Sequence, residues 1–382
     1  MKKYLIAISA ALAILLAGCG EESSQDIDNK PNNIDVQENP KVEEQPVVET
    51  PKEQKVEEKE KESVTTSLEI EDYYPVKENT RYVYEGTGNE YAFYNVMVDY
   101  VNKSKVQQRI DNGGTVMANI VKIADGKLTR SYSRGEAYYR ENLLESESEE
   151  KEILLMEPLK EGTNWELKDS SIRTITNMAA DVSTPSGNYK AIEVTTKGPH
   201  GQTMDYYVKD IGLVKTTSIS EGMEVSSSLS KMEENAPFVQ TISFFYPNIN
   251  DDRLYYHNKE ISFHTNDITK NIVEKAYKEN VPDSKNLNSV FTKNTKINSL
   301  YLNKDGNLYL DLNQAFLTEM NAGSGIEEMI LRSVVNTFGN YYGVEKVYLT
   351  IENEPYSSGH ITMNKGEFFQ VEPIEDSIEI KK

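Results

Sequence analysis

The chain has 382 residues, with 62 acidic against 41 basic side chains, a net charge of −21 and one cysteine. Binding a phosphate backbone takes clustered Lys and Arg, so this balance speaks against nucleic acid as a partner. A single thiol excludes an internal disulfide.

Lys2 and Lys3 precede an apolar run from Tyr4 to Ala17. The run falls short of the roughly 20 apolar residues of a membrane-spanning helix and has the pattern of a signal peptide. It ends in Leu16-Ala17-Gly18-Cys19, which resembles the bacterial lipobox. Small residues fit a narrow peptidase cleft, and the Cys19 thiol is the nucleophile that takes up diacylglycerol. The expectation is a signal peptide over 1–18 and lipidation at Cys19, placing the chain on the extracytoplasmic face of the cell membrane. Acyl chains on the sulfur and on the new N-terminus would supply the two signals that stable anchoring needs.

Residues 19–67 are expected to form the lipidated N-terminus and an acidic linker. Between 20 and 66 stand fourteen acidic and six basic side chains, a net of −8, with Pro31, Pro40, Pro46 and Pro51 recurring. Such a composition cannot bury enough apolar surface to offset the entropy of ordering. It predicts a self-repelling tether spanning roughly 40 Å root-mean-square.

From 68 to 234 the chain is dense in strand signals. Arg81–Glu85, Tyr91–Val101, Thr115–Ile123, Lys127–Ser133, Asn188–Thr196, Met204–Lys209, Val214–Ser220 and Glu224–Ser230 are rich in Tyr, Val, Ile and Thr. Asn112-Gly113-Gly114, Asp125-Gly126, Ser186-Gly187, Gly198-Pro199-His200-Gly201 and Glu221-Gly222 punctuate them as hairpin turns. Segments such as Ile192-Glu193-Val194 alternate as on a sheet with one wet face. The pattern predicts a mostly antiparallel β domain, a curved sheet or open barrel, with a short helix over Glu145–Met156. Its tyrosines either fill the core or present a site for cell-wall glycan or an apolar ligand. No family resemblance accompanies this region.

From 238 to 370 strands and helices mix. Phe238–Tyr246 is a predicted strand, and Leu254–Tyr256 with Glu260–His264 a predicted hairpin. A helix follows, with Asn266 or Asp267 as its cap and Ile268, Ile272, Val273 and Ala276 on one face. Thr295–Leu302 and Asn307–Leu312 flank the turn Lys304-Asp305-Gly306. A short helix over Asn313–Met320 leads to a longer one from about Gly325, with Gly339 in the place of a helix-ending glycine. Glu345–Ile351 is the last strand, and 371–382 is a tail. The prediction is an α+β domain with helices on one face of a mixed sheet.

Four segments of this region carry a resemblance: Phe244-Phe245-Tyr246-Pro247, Asn294–Leu300, Asn307–Phe316, and Val334–Phe338 with Val344–Ile351. In this order they resemble the GerMN domain of bacterial sporulation and germination lipoproteins. The resemblance implies a non-enzymatic envelope protein that packs against protein partners. Asn280-Val281-Pro282 and Glu352-Asn353-Glu354 depart from the glycine-bearing turns usual in that family.

Nothing in the sequence singles out catalysis, and no metal or cofactor is expected. His200, His257, His264 and His360 form no metal-ligand spacing. Asn248–Asp252 faintly resembles a calcium loop but lacks its glycine and its closing glutamate. Ala322-Gly323-Ser324-Gly325 lacks the lysine of a phosphate loop and is expected to link two helices. Glu327-Glu328 is assigned to a solvated helix face. Asp311, between a strand and a helix, is expected to accept N–H groups from the turn or the helix start, a structural role and not a catalytic one. The sequence therefore points to a membrane-anchored binding or assembly protein with envelope protein partners. A peptidoglycan-binding module is the competing expectation.

Overall fold

The computed structural model describes residues 68–283 and 286–381. Cys19, the signal segment and the acidic tether lie outside them. A short helix α1 (Ile70–Tyr73) precedes twelve strands: β1 (Arg81–Thr87), β2 (Tyr94–Val101), β3 (Lys105–Asp111), β4 (Val116–Ala124), β5 (Lys127–Arg134), β6 (Glu152–Met156), β7 (Asn164–Glu166), β8 (Ile172–Thr184), β9 (Gly187–Gly198), β10 (Gly201–Val208), β11 (Gly212–Ser220) and β12 (Met223–Glu233). They form one antiparallel sheet in the order β6-β5-β4-β3-β2-β1-β12-β11-β10-β9-β8-β7. Asp125-Gly126 and Glu221-Gly222 both take positive φ at each residue, as the tight hairpin turns of a twisted sheet require.

The sheet curls until its two ends nearly meet. Leu128 and Leu155 from one end share a core with Trp165, Ile175, Ile192 and Val194 from the other. Side chains bridge the seam. Trp165 Nε1 donates to the Ile153 carbonyl at 3.0 Å, and Arg173 Nη1 donates to the same oxygen at 2.7 Å. These bonds occupy acceptors that an open sheet edge would leave unpaired.

The stretch 145–156 is not a helix. Its second half is β6, which pairs with β5 and buries Leu155 completely. Pairing at a sheet end that needs an apolar strand outweighs the helical preference of its glutamates.

Phe238–Asn248 is β13 and Arg253–Phe263 is β14. They pair with each other along their whole length, so the hairpin turn falls at Ile249–Asp252 and not inside 254–264. Helix α2 (Thr269–Glu279) follows, then β15 (Ile297–Leu302), β16 (Leu308–Leu312), a short α3 (Ala315–Thr318), α4 (Ser324–Tyr342), β17 (Lys346–Ile351) and three two-residue strands, β18 (Glu354–Pro355), β19 (Phe369–Gln370) and β20 (Ile378–Glu379). One sheet runs β13-β14-β20; the other runs β15-β16-β17-β18, with β19 also on β17. The β16/β17 pair is parallel, joined through α4.

Helix α4 is buried over most of its length, Glu327, Ser333, Asn336 and Thr337 included, which marks it as a core element. Ile330, Val334 and Phe338 enter one core, with Tyr277, Phe291 and Phe316, while Met329 packs with Phe245 and Leu254. Its buried polar groups are satisfied. Thr337 Oγ1 accepts from the Phe245 N–H at 3.0 Å and meets Tyr277 Oη at 3.2 Å, and Tyr277 Oη donates to the Phe245 carbonyl at 2.6 Å.

Two terminal assignments shift. Gly339 lies inside α4, where a Cβ would stand 2.2 Å from Val371 Cγ2. The helix ends instead at Gly343, whose φ of 66° closes it in the left-handed region. Neither Asn266 nor Asp267 caps α2. Asn266 Oδ1 accepts from the Val101 N–H at 2.9 Å, and Asp267 Oδ2 from the His264 N–H at 2.7 Å.

Candidate functional site

Alternation along β15, β16 and β17 sends Leu308, Leu310, Leu312, Val347, Leu349 and Ile351 into the core. The opposite face carries tyrosines in register. Tyr301 is paired with Tyr309, and Tyr309 with Tyr348. Their ring centroids stand 5.6 Å and 5.1 Å apart, and Phe368 adds a fourth ring 5.5 Å from Tyr348. Cross-strand aromatic pairs stabilise a sheet, but they do not need the outer ring of such a row. Tyr301, at that outer end, remains 43% exposed. Tyr309 Oη donates to Asp305 Oδ2 at 3.0 Å; partial burial and this carboxylate both hold its phenol above the usual range.

On the same face, one position along, sits a polar knot. Asp311 is 3% exposed and accepts from Asn298 Nδ2 at 2.9 Å, from the Asn353 N–H at 2.7 Å and from Thr350 Oγ1. The expected partners at the helix start are absent. Glu352 Oε1 takes the Gln314 N–H at 3.0 Å, and Asn313 Oδ1 takes the Lys296 N–H at 2.8 Å. Asp311 thus ties β15 and β16 to the end of β17, which the parallel crossover brings alongside. β15 is an edge strand, with β16 on one side and no strand on its other among the described residues. Side chains of α2 hold the start of that edge: the Ile297 N–H donates to Glu274 Oε2 at 2.8 Å and Lys270 Nζ donates to the Asn298 carbonyl. The aromatic row runs out to the other end of β15, at Tyr301.

A second polar centre joins the twelve-stranded sheet to the C-terminal elements. Asp99, 2% exposed, pairs with Arg109 Nη2 at 2.9 Å and stands 3.8 Å from Arg140 Nε. Arg140 is 1% exposed. It donates to Tyr100 Oη at 2.7 Å, to the Asp99 and His264 carbonyls at 2.7 and 2.9 Å, and to the Asp267 carbonyl. Its guanidinium also lies over the Tyr100 ring, 4.1 Å from the centroid. Two arginines against one carboxylate leave a surplus positive charge, and carbonyl dipoles and ring faces absorb it.

Inside the curved sheet Tyr84 and Tyr94 stack at 4.4 Å, Tyr84 Oη donates to the Leu213 carbonyl at 2.7 Å, and Tyr74 Oη donates to Gln108 Oε1 at 2.8 Å. Burial holds the phenols of Tyr74, Tyr84 and Tyr94 well above the usual range and pushes that of Tyr82 up to about 12.

The other residues singled out from the sequence are dispersed. His200 lies in the β9–β10 turn, His257 within β14, His264 just after it and His360 in an exposed turn. Among the described residues no three His, Cys, Asp or Glu side chains are placed to hold a metal ion. In the β13–β14 turn, Asn248 Oδ1 accepts the Asn250 N–H and Asp251 accepts from Arg253 N and Tyr255 Oη. Those are turn-forming bonds. Ala322–Gly325 leads into α4, with Gly323 as its N-cap residue. Glu327 is not solvated: it is 3% exposed and accepts from Tyr356 Oη at 2.8 Å, whereas Glu328 is exposed. No helix among the described residues is long and apolar enough to cross a membrane.

Comparison with known families gives the class of the C-terminal part. Residues 243–357 match the family described as Germane, sporulation and spore germination, so this segment is GerMN-like. The structure of the first GerMN domain of the sporulation protein GerM from Bacillus subtilis is 19% identical and covers 33% of this chain and 94% of that one, with a TM-score of 0.26. The tandem GerMN domains of the same protein align at 16% identity and a TM-score of 0.26, over 33% of this chain and 45% of theirs. The chain thus spans less than half the length of that tandem structure. No curated protein sequence matches the chain.

Proposed function

We propose that the chain is a non-enzymatic binding and assembly protein of the bacterial envelope, acting in sporulation or spore germination and held to the cell membrane by lipid on Cys19. Its GerMN-like segment meets an envelope protein through the Tyr301–Tyr309–Tyr348–Phe368 row. The observation that carries this reading is the row itself: four contiguous rings on the outer face of a sheet, ending with Tyr301 43% exposed on the edge strand. Tyrosines of this kind dominate binding energy at protein interfaces. The family description of residues 243–357 supports the cellular setting. The Leu16-Ala17-Gly18-Cys19 sequence supports the anchor.

The test replaces the chromosomal copy with Tyr301→Ser/Tyr348→Ser. Sporulation or germination should fall as in a deletion, while the purified variant, which loses three ring contacts worth about 0.2–1 kcal/mol each, should melt no more than about 6 °C below the wild type. Normal sporulation and germination with the variant, in a strain where deletion impairs them, would remove the aromatic row from the account.

A further inference from the structure

The curved sheet holds a cavity of about 270 Å³ that plays no part in the proposed assembly face. Val96, Val98, Val106 and Ile110, from β2 and β3, give it an aliphatic wall, and the stacked Tyr84 and Tyr94 face the same space. Polar groups are few. Gln108 spends its carbonyl oxygen on Tyr74. Tyr82 is 9% exposed and lines the cavity, and its phenol has no hydrogen-bond partner among the described residues. Lys77 also lines it, half-buried, and has no carboxylate partner among the described residues.

These features select a ligand. The volume lies just below the roughly 300–1,000 Å³ typical of small-molecule sites, which suits one narrow chain and not a fused-ring body. The lining rewards apolar surface, and the lysine and the free phenol reward an anionic oxygen. We propose that the cavity binds a single aliphatic chain bearing an anionic head, with the tail against β2 and β3 and the head at Lys77 and Tyr82. A free fatty acid and an anionic lysolipid both present that chemistry.

The experiment uses the chain from residue 20 onward, which keeps every described residue and omits the anchor. Binding of octanoate, decanoate, dodecanoate and tetradecanoate is measured by calorimetry, beside dodecanol and lauroyl lysophosphatidylglycerol. Affinity should rise about fourfold per added methylene and then level off once the cavity is full. Lys77→Gln should weaken dodecanoate about tenfold and leave dodecanol unchanged. Ile110→Trp, which fills the cavity, should abolish the gain from chain length. If that variant does not fold, the Lys77→Gln comparison decides alone. The tighter of dodecanoate and the lysolipid identifies the source of the head group. Absence of saturable binding by both, a chain-length series with no plateau, or indifference to Lys77→Gln would overturn the proposal.

Discussion

Arg140 is the side chain whose loss the structure predicts to cost most. Replacing it with Met keeps most of the buried stem and removes the guanidinium. Tyr100 Oη, Thr269 Oγ1 and the carbonyls of Asp99, His264 and Asp267 then lose a shared donor, although the Asp99–Arg109 pair survives. Removing a donor shared by five acceptors, at about 1 kcal/mol per hydrogen bond, should cost about 3–5 kcal/mol. At roughly 2 °C per kcal/mol for a chain of this size, the melting midpoint should fall by about 6–10 °C. Because the five acceptors come from β2, the end of β14 and the start of α2, the loss should also uncouple the curved sheet from the GerMN-like segment. Differential scanning calorimetry on the anchor-free chain should show the transition broaden or split. Arg140→Lys keeps the charge without the planar fork, and should fall between the two. A Met variant melting within about 1 °C of wild type, in an unchanged single transition, would refute the assigned role.

Three further outcomes follow from the same geometry. Asp311→Ala strands the Asn353 N–H and the Thr350 hydroxyl, and should cost about 2–4 kcal/mol; an unchanged midpoint in a thermal melt would reopen Asp311 as a partner-facing residue. Glu274 is buried, which alone would raise its pKa, but Lys278, the Ile297 N–H and Lys296 together hold it below 4.5. A depressed carboxylate stabilises the fold above its unfolded pKa and loses that contribution as pH falls through the folded value. Acid melts below pH 4.5 should therefore narrow the gap between wild type and Glu274→Gln, and a constant gap would contradict this. Cys19→Ala should abolish palmitate labelling of the full chain; labelling that persists would rule out the anchor.

Much of the sheet was legible locally, because Val, Ile, Thr and Tyr runs bounded by Asp125-Gly126 or Glu221-Gly222 leave few alternatives. What was hidden depended on distant partners. β3 puts Lys105, Gln107, Arg109 and Asp111 on one face, which reads as a wet face, yet Gln107 and Arg109 are buried. The Leu143 N–H donates to Gln107 Oε1 at 2.7 Å, and Arg109 meets Asp99. Gly339 resembles a helix end until Val371, 32 residues on, is seen packed against it. Glu327 looked solvated beside Glu328, but Tyr356 closes over it. The candidate surface was half visible. Tyr301, Tyr309 and Tyr348 each sit at an outward position of their own strand. Only the parallel register of β16 with β17, set by the α4 crossover, lines them up. The sequence left open whether the tyrosines of the curved sheet fill its core or present a site, and nothing in it marked Lys77.

The central claim is that the aromatic row of the GerMN-like segment is a contact surface in the cell, and site-specific photocrosslinking tests it most directly. A benzophenone side chain at position 301 of the full-length, membrane-anchored chain should yield a discrete protein adduct. The same probe at position 91, where the native Tyr91 is 54% exposed on the curved sheet, should not. No adduct from position 301, or the same adducts from both positions, would contradict the account.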